Sequence, residues 1–240
     1  MLIPSARHTS ADIAVWESLA VADLRHFNSD GMRRKIALAE DTIMRFTTDP
    51  CYVSISWGKD STVLAHLMWS IFGASGPPAF WHARPARMPE TEMVEQQFLS
   101  QFAIPYQRLE SDKANASKDY AQMAGTDRHI LGVRAEESGV RAISARVHGP
   151  ISRNSCRPLL WWTHLDIFGY LQGNALPIHP VYGMLGGGRW SRERLRVEVL
   201  GGKEAVQFGR AEWEREYYGD IIRRNAACPR PHTITSEPGY

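Results

Sequence analysis

The sequence predicts an α/β fold: a doubly wound, mostly parallel sheet with helices on both faces, an N-terminal helical extension and an arginine-rich C-terminal arm. Short β-rich runs alternate with helical stretches through the middle of the chain, which is typical of βαβ units. The composition is that of a globular protein, with 43% hydrophobic residues among 240 and a net charge of +2. A predominantly disordered chain is therefore excluded.

The first 49 residues are predicted to form the helical extension. Apolar residues recur at helical spacing over Ile13–Leu24 and again over Met32–Phe46. Ser29 or Asp30 is expected to cap the second helix. The helical pattern ends before Pro50, because the residue before a proline disfavours helical geometry.

Residues 50–182 carry the strand and helix alternation and are predicted to be the ligand-binding domain. After residue 182 the chain turns glycine-rich and then basic, so 183–240 are assigned to the arm and tail, with a helix over Glu212–Asn225. The predicted strands are Cys51–Ser56, Ala79–Ala83, Pro105–Leu109, His129–Val133 and Pro158–Trp162, and the predicted helices are Ser61–Phe72, Pro89–Phe102, Ser117–Ala124 and Leu165–Leu171.

An anion-binding loop is predicted where the first strand meets the next helix. A turn that contains glycine and opens a helix directs free backbone N–H groups and the positive end of the helix dipole at one point. Hydroxyl groups and one lysine add to this attraction for phosphate. The spacing fits neither a Walker P-loop nor a dinucleotide fingerprint. The candidate binding residues are Ser56, Trp57, Gly58, Lys59, Asp60, Ser61 and Thr62.

A basic stretch follows the fourth predicted strand. Between Arg128 and Arg157 the chain holds arginines at 128, 134, 141, 146, 153 and 157, but only two acidic residues, Glu136 and Glu137. The planar guanidinium fork suits phosphate and sulfate groups. If a helix begins at Glu136, Arg134 and Arg141 lie about two turns apart and are expected to converge on one anion.

Several short blocks accompany the loop in a fixed order over residues 50–182. They are Pro89-Glu90-Thr91, then Gly132-x-Arg134-x-x-Glu137-Ser138-x-x-Arg141, then Arg157-Pro158-Leu159 with Trp162 and Leu165-Asp166-Ile167, and finally Leu176-Pro177-Ile178-His179-Pro180-Val181-Tyr182.

Together with Ser56-x-Gly58-Lys59-Asp60-Ser61, these blocks resemble the PP-loop, or adenine nucleotide α-hydrolase-like, superfamily. Within it the chain is most similar to phosphoadenosine phosphosulfate (PAPS) reductases and the small subunit of ATP sulfurylase. The resemblance implies a site for ATP or PAPS, with Mg²⁺ as cofactor and Asp60 as its tentative ligand.

The resemblance also implies roles for individual residues. Lys59, Asp60, Arg134 and Arg141 would act on the reacting phosphates. The loop residues would hold the phosphate chain, and the strand exit near Phe80 and His82 would contact adenine. The remaining residues carried over to the binding site are Gly132, Glu137, Ser138 and Arg157.

The chain departs from the family pattern in two places. PAPS reductases act through a cysteine in a Cys-Gly-Leu-His context, whereas Cys228 lies in Ala-Ala-Cys-Pro-Arg-Pro-His. The usual Asp-Thr-Gly after the second strand is replaced by His82-Ala83-Arg84. Paired cysteines for an iron–sulfur cluster are missing, so no such cluster is expected.

Three functions remain open from the sequence. The first is an enzyme that cleaves the α–β phosphate bond of ATP to adenylylate an acceptor, which would serve sulfur transfer. The second is a thiol-dependent PAPS reductase that uses Cys228. The third is a non-catalytic nucleotide-binding subunit that docks through the arm.

The composition also predicts the cellular compartment and the kinds of partner. Three cysteines far apart argue against a disulfide scaffold and indicate a reducing, cytoplasmic setting. No apolar run is long enough to span a bilayer. A protein partner or a second copy is expected. The basic segment Arg189–Arg196 suits a nucleic acid or an acidic partner as well as a solvated face.

Overall fold

The computed structural model describes residues 1–83, 88–110, 116–197, 200 and 209–227. Contacts divide the chain into two compact units, Met1–Val197 and Glu198–Tyr240. The helices of the first unit are α1 (Ser10–Phe27), α2 (Asp30–Phe46), α3 (Lys59–Phe72), α4 (Glu90–Leu99), α5 (Ala116–Ala124), α6 (Gly139–His148) and α7 (His164–Gly173). Its strands are β1 (Tyr52–Ser54), β2 (Ala79–His82), β3 (Tyr106–Leu109), β4 (His129–Leu131) and β5 (Ser155–Cys156).

The five strands form one parallel sheet in the order β3-β2-β1-β4-β5. The chain builds outward from β1 through β2 to β3, and then crosses back to place β4 on the other side of β1. This doubly wound order confirms the predicted fold class. It also puts a topological switch point between β1 and β4, where ligands bind outside the carboxyl ends of the strands.

The predicted strand Pro158–Trp162 is wrong. This segment is a turn, in which the N–H of Leu160 donates to the Arg157 carbonyl and that of Trp162 to the Leu159 carbonyl. Pro158 has no N–H to offer a sheet ladder. The fifth strand lies just upstream, and Cys156 pairs there with Ile130 of β4.

The helix predicted from Glu136 onward begins later. A 3₁₀ turn over Ala135–Glu137 comes first, and α6 starts at Gly139. Ser138 fixes this start, because its hydroxyl accepts the N–H of Arg141 and so caps the helix. Ser29 caps α2 in the same way, which settles the choice between Ser29 and Asp30.

The N-terminal helices pack on the domain through close contacts and buried charges. A Cβ on Gly173 of α7 would stand 2.1 Å from the ring of Phe27, so α1 approaches α7 closely only because Gly173 has no side chain. Asp23 of α1 is fully buried and accepts two hydrogen bonds of 2.6 Å from the guanidinium of Arg192. These contacts show that residues 1–49 pack as part of the first unit.

The second unit is described mainly by helix α8 (Ala211–Ala227), whose backbone is non-helical at Tyr218. Trp213 and Tyr218 are buried and their rings lie 5.6 Å apart. Cys228 lies outside the described residues. Among the helices that the structure describes, none is long and apolar enough to cross a membrane.

Candidate active site

The loop between β1 and α3 is anchored from behind by Trp57. Its φ of 56° is left-handed, which is costly for a bulky side chain and is sustained only where the surroundings enforce it. The buried indole donates a 3.2 Å hydrogen bond to the hydroxyl of Tyr106, which donates 2.7 Å to Glu95. The ring also packs on Phe98, with centroids 5.3 Å apart. Trp57 therefore offers a ligand its backbone and not its side chain.

The N-cap position of α3 has no capping side chain. Gly58 occupies this position, and of the first helical amides only that of Lys59 is bound by a described side chain, through the hydroxyl of Tyr182. The hydroxyls of Ser61 and Thr62 instead donate to the Gly58 carbonyl at 3.1 and 3.0 Å. Among the described residues no acceptor bonds to the N–H groups of Trp57, Gly58, Asp60 or Ser61. Such a turn, with the positive helix end behind it, is suited to an anion.

The predicted residues Lys59, Asp60 and Arg134 come together in one ion-paired cluster. Lys59 Nζ lies 3.2 Å from Asp60 Oδ2, and Arg134 Nε donates to Asp60 Oδ1. Lys59 is only 5% exposed and Arg134 only 2%. Burial raises the pKa of Asp60, but the charges of Lys59 and Arg134 outweigh that effect and lower it. The cluster therefore holds two cations and one carboxylate.

Both cations of the cluster keep unused donors. Lys59 Nζ has no described acceptor besides Asp60, although it also lies 5.1 Å from the centre of the Tyr182 ring. In Arg134, Nη1 donates to Glu136 and, at 3.4 Å, to the carbonyl of Trp162, while Nη2 bonds to no residue that the structure describes. These donors, with the free amides of the loop, are available to an anionic ligand.

Gly132 brings the exit of β4 against the loop. A Cβ there would stand 3.0 Å from the backbone oxygen of Asp60 and 3.3 Å from the nitrogen of Ser61. Real Cβ atoms rarely approach backbone so closely, so any side chain would push Arg134 away from Asp60. This short distance explains why the residue two positions before Arg134 is a glycine.

Arg141 and Arg157 are held by other partners. Arg141 is 38% exposed at its side chain and donates to Glu137, which also accepts the backbone N–H of Arg134 at 3.1 Å. Arg157 donates to the carbonyl of Gly149 at 2.6 Å and so supports the end of α6. In the described structure the guanidinium groups of Arg134 and Arg141 bond to different carboxylates. Their convergence on one anion therefore stays a prediction.

The side chains at the exit of β2 face inward. Phe80 is buried and stacks on Tyr120 with ring centroids 5.1 Å apart, and its carbonyl accepts the N–H of Ile55 at 2.9 Å. His82 is buried against the same tyrosine, 3.7 Å from Asp119. The adenine contact expected from the backbone near Phe80 and His82 remains a prediction.

Sequence reasoning missed three residues of this site. The hydroxyl of Tyr182 accepts the backbone N–H of Lys59 at 3.0 Å and so holds the loop from a segment more than 120 residues away. Glu136 links Arg134 to His164, the first residue of α7. The block containing Tyr182 was visible in the sequence, but spacing alone carries no signal for these long-range contacts.

The described residues do not fit a resident metal site. They contain no group of three or more His, Cys, Asp or Glu side chains placed to hold a metal ion. Both oxygens of Asp60, the tentative Mg²⁺ ligand, are engaged by Lys59 and Arg134. We therefore derive no step through a metal ion.

The two described cysteines are poorly suited to act as nucleophiles. Cys51 and Cys156 are buried and free. Burial raises the pKa of the Cys51 thiol to about 11 and that of Cys156 to about 12. A thiol that stays protonated at neutral pH is a poor nucleophile, so neither fits a thiol-dependent reaction.

Comparison with known families decides the relationship of the chain. Residues 50–185 match the model of the phosphoadenosine phosphosulfate reductase domain. The chain belongs to this family. The match begins just before β1 and ends after the closing block, and it includes the loop, Arg134 and Tyr182. No curated protein matches the chain.

Solved structures support the same fold. Yeast FAD synthetase in complex with FAD aligns with a TM-score of 0.51 at 18% identity, over 72% of this chain and 70% of its own. Candida glabrata FMN adenylyltransferase with FAD and inorganic pyrophosphate gives 0.51 at 15%, over 71% and 68%. The U34-tRNA thiolase of Methanococcus maripaludis with its 4Fe-4S cluster gives 0.50 at 11%, over 81% and 77%. At these identities the likeness shows the fold alone.

Proposed function

We propose that this protein binds ATP at the loop and cleaves the α–β phosphate bond, releasing pyrophosphate and transferring the adenylyl group to an acceptor. Sulfur transfer is the process that such activation would serve. The observation that carries the proposal is the cluster of Lys59, Asp60 and Arg134 at the start of α3, with free donors on both cations.

The charges of the cluster suit this reaction. As the bond to the α-phosphate breaks, negative charge grows on the departing pyrophosphate. Preorganised donors stabilise such charge best when they are fixed and shielded from water. Lys59 and Arg134 are buried and are fixed by Asp60, so they need little rearrangement to receive it. Asp60 has a positioning role in this scheme.

The known chemistry of relatives is compatible with the proposal. Two of the structural relatives are named as an FAD synthetase and an FMN adenylyltransferase. The family description names PAPS, a nucleotide with the same adenylyl core. ATP is therefore the first substrate to test and PAPS the second.

Incubation of the purified full chain with ATP or PAPS tests the proposal. With water in place of the acceptor, we expect AMP and pyrophosphate from ATP, detected by mass spectrometry. Lys59→Ala should reduce this activity strongly, whereas Arg45→Ala, which removes an exposed cation on α2, should not. Pyrophosphate release that Lys59→Ala leaves unchanged would contradict the site.

A PAPS reductase is the second candidate, favoured by the name of the matching family. In that case the protein releases sulfite from PAPS in the presence of reduced thioredoxin, and Cys228→Ser abolishes the release. Tight nucleotide binding with no product from either substrate would favour the third function, a non-catalytic subunit.

A further inference from the structure

His164 is held in a fixed orientation by Glu136. As the first residue of α7, it donates its backbone N–H to Glu136 Oε2 at 2.7 Å. Its ring atom Nδ1 lies 3.1 Å from Glu136 Oε1. One carboxylate thus binds both the backbone and the ring of the same residue, which fixes the position and the rotation of the imidazole.

The same carboxylate joins this histidine to the phosphate-binding cluster. Glu136 Oε2 also accepts Nη1 of Arg134, and Arg134 in turn bonds to Asp60. Glu136 therefore bonds both to the imidazole of His164 and to the buried guanidinium of Arg134. The His164 side chain is 39% exposed, so an acceptor arriving from solution can reach it. His164 is thus far more exposed than Lys59 and Arg134, the buried cations of the cluster.

The hydrogen bonds define which ring nitrogen is available. An ionised carboxylate only accepts, so Nδ1 carries the proton and Nε2 of the neutral ring presents a lone pair. Among the described residues none bonds to Nε2. Glu136 binds the ring directly, and Glu193 interacts with it electrostatically.

We propose that Nε2 of His164 is the general base that removes the proton of the acceptor. The acceptor hydroxyl oxygen bonds to the α-phosphorus, and its proton passes to Nε2. The bond from the α-phosphorus to the bridging oxygen breaks, and pyrophosphate leaves with the electron pair. This inference rests on the proposed function and narrows the acceptor to a nucleophile that still carries its proton, such as a hydroxyl compound, because a carboxylate or phosphate acceptor is already ionised at neutral pH.

Water is the probe for the experiment, since it is the simplest hydroxyl acceptor and its product is AMP. In the full chain, His164→Asn keeps an N–H donor toward Glu136 but removes the lone pair at Nε2. We expect kcat for AMP formation to fall by about 100-fold or more, the lower range for general base catalysis, with the Kd for ATP within about twofold of wild type. Free imidazole should restore part of the rate in His164→Ala.

His148→Asn is the matched control. His148 is exposed on the last turn of α6, and its replacement should change neither rate nor affinity. If wild type forms AMP and His164→Asn forms it equally fast, or imidazole rescues nothing in His164→Ala, the base assignment is wrong while the proposed function stands. If wild type forms no AMP, the proposed function is wrong and the assignment falls with it. A melting temperature equal to that of wild type shows that each variant is folded.

Discussion

Two regions of the first unit bury charged side chains, and they do so differently. Between α1 and the segment after α7, Asp23 has both oxygens bound by Arg192 at 2.6 Å, and neither residue is more than 4% exposed. In the loop cluster, Asp60 also has both oxygens bound, but Lys59 and Arg134 keep donors without partners. The guanidinium of Arg192 also lies against the rings of Trp16 and Phe168, so this pair is covered by packed side chains, whereas the loop cluster lies beside free backbone amides and is organised to receive an anion.

Asp166 is a second buried carboxylate that joins the N-terminal helices to the rest of the first unit. It accepts hydrogen bonds from the N–H and hydroxyl of Thr163, which caps α7, and from His26 of α1 and Lys35 of α2. Burial raises the pKa of Asp166, but these donors outweigh burial and lower it. One carboxylate therefore joins three helices and leaves nothing for a ligand.

The largest expected effect is the loss of stability in Asp23→Ala. Removal of one partner of a buried pair leaves the other charge without compensation, and we expect about 3–5 kcal/mol lower free energy of unfolding, measured with urea. Asp30→Ala is the control, because Asp30 forms an exposed pair with Arg33 whose loss should cost less than about 1 kcal/mol. Equal stability of the two variants would show that the Asp23–Arg192 pair does not hold α1.

A second prediction concerns the loss of folding stability at acid pH. Burial lowers the pKa of His66 to about 4, whereas the unfolded chain titrates near its ordinary 6.5. Between these values the unfolded state binds the extra proton, so stability falls as pH drops from about 6.5 to about 4, by roughly 3 kcal/mol in all.

Urea unfolding at several pH values in this window measures the slope. His66→Gln, which can still bond to the hydroxyl of Tyr170, has no imidazole to titrate and should show a shallower slope. His179 is buried and its pKa is lowered to about 3, so some slope of the same sign should remain. An identical slope in wild type and His66→Gln would contradict the assignment.

Much of this arrangement was predictable from local sequence. Strand and helix periodicity predicted the sheet, and the residues around Gly58 predicted an anion-binding turn at the start of a helix. The error at Pro158–Trp162 came from apolar residues that pack in a turn as well as they would in a strand. Glu136, His164 and Tyr182 could not be predicted, because their contacts depend on how separate elements meet and not on any spacing along the chain.

The third prediction removes one cation of the incomplete cluster. Lys59→Ala should weaken ATP binding by about 1.5–3 kcal/mol, the value of a hydrogen bond to a charged group. Isothermal titration calorimetry with ATP and with PAPS measures this loss. Arg45→Ala again serves as control. Unchanged affinity for both nucleotides would show that the phosphate site does not lie at the loop.

The last prediction uses the two arginines of one motif to separate binding from structure. Arg134→Lys keeps the charge but cannot bond to Asp60, Glu136 and a ligand at once, because lysine lacks the planar fork. We expect at least about tenfold weaker ATP binding or turnover, or 1.4 kcal/mol. The convergence of both arginines on one anion, predicted from the sequence, leads to the same expectation for Arg141→Lys.

The structure sharpens that expectation. Arg141 is partly exposed and bonds to Glu137 in the 3₁₀ turn before α6, where a lysine can replace it with a change within about 0.5 kcal/mol. Calorimetry and AMP formation should therefore separate the two variants, with Arg134→Lys impaired and Arg141→Lys close to wild type. Equal impairment of both would mean that Arg141 leaves Glu137 to join Arg134 on the ligand. Wild-type behaviour of both would reduce the site to the loop and Lys59, because the unused donor of Arg134 would then have no role in binding.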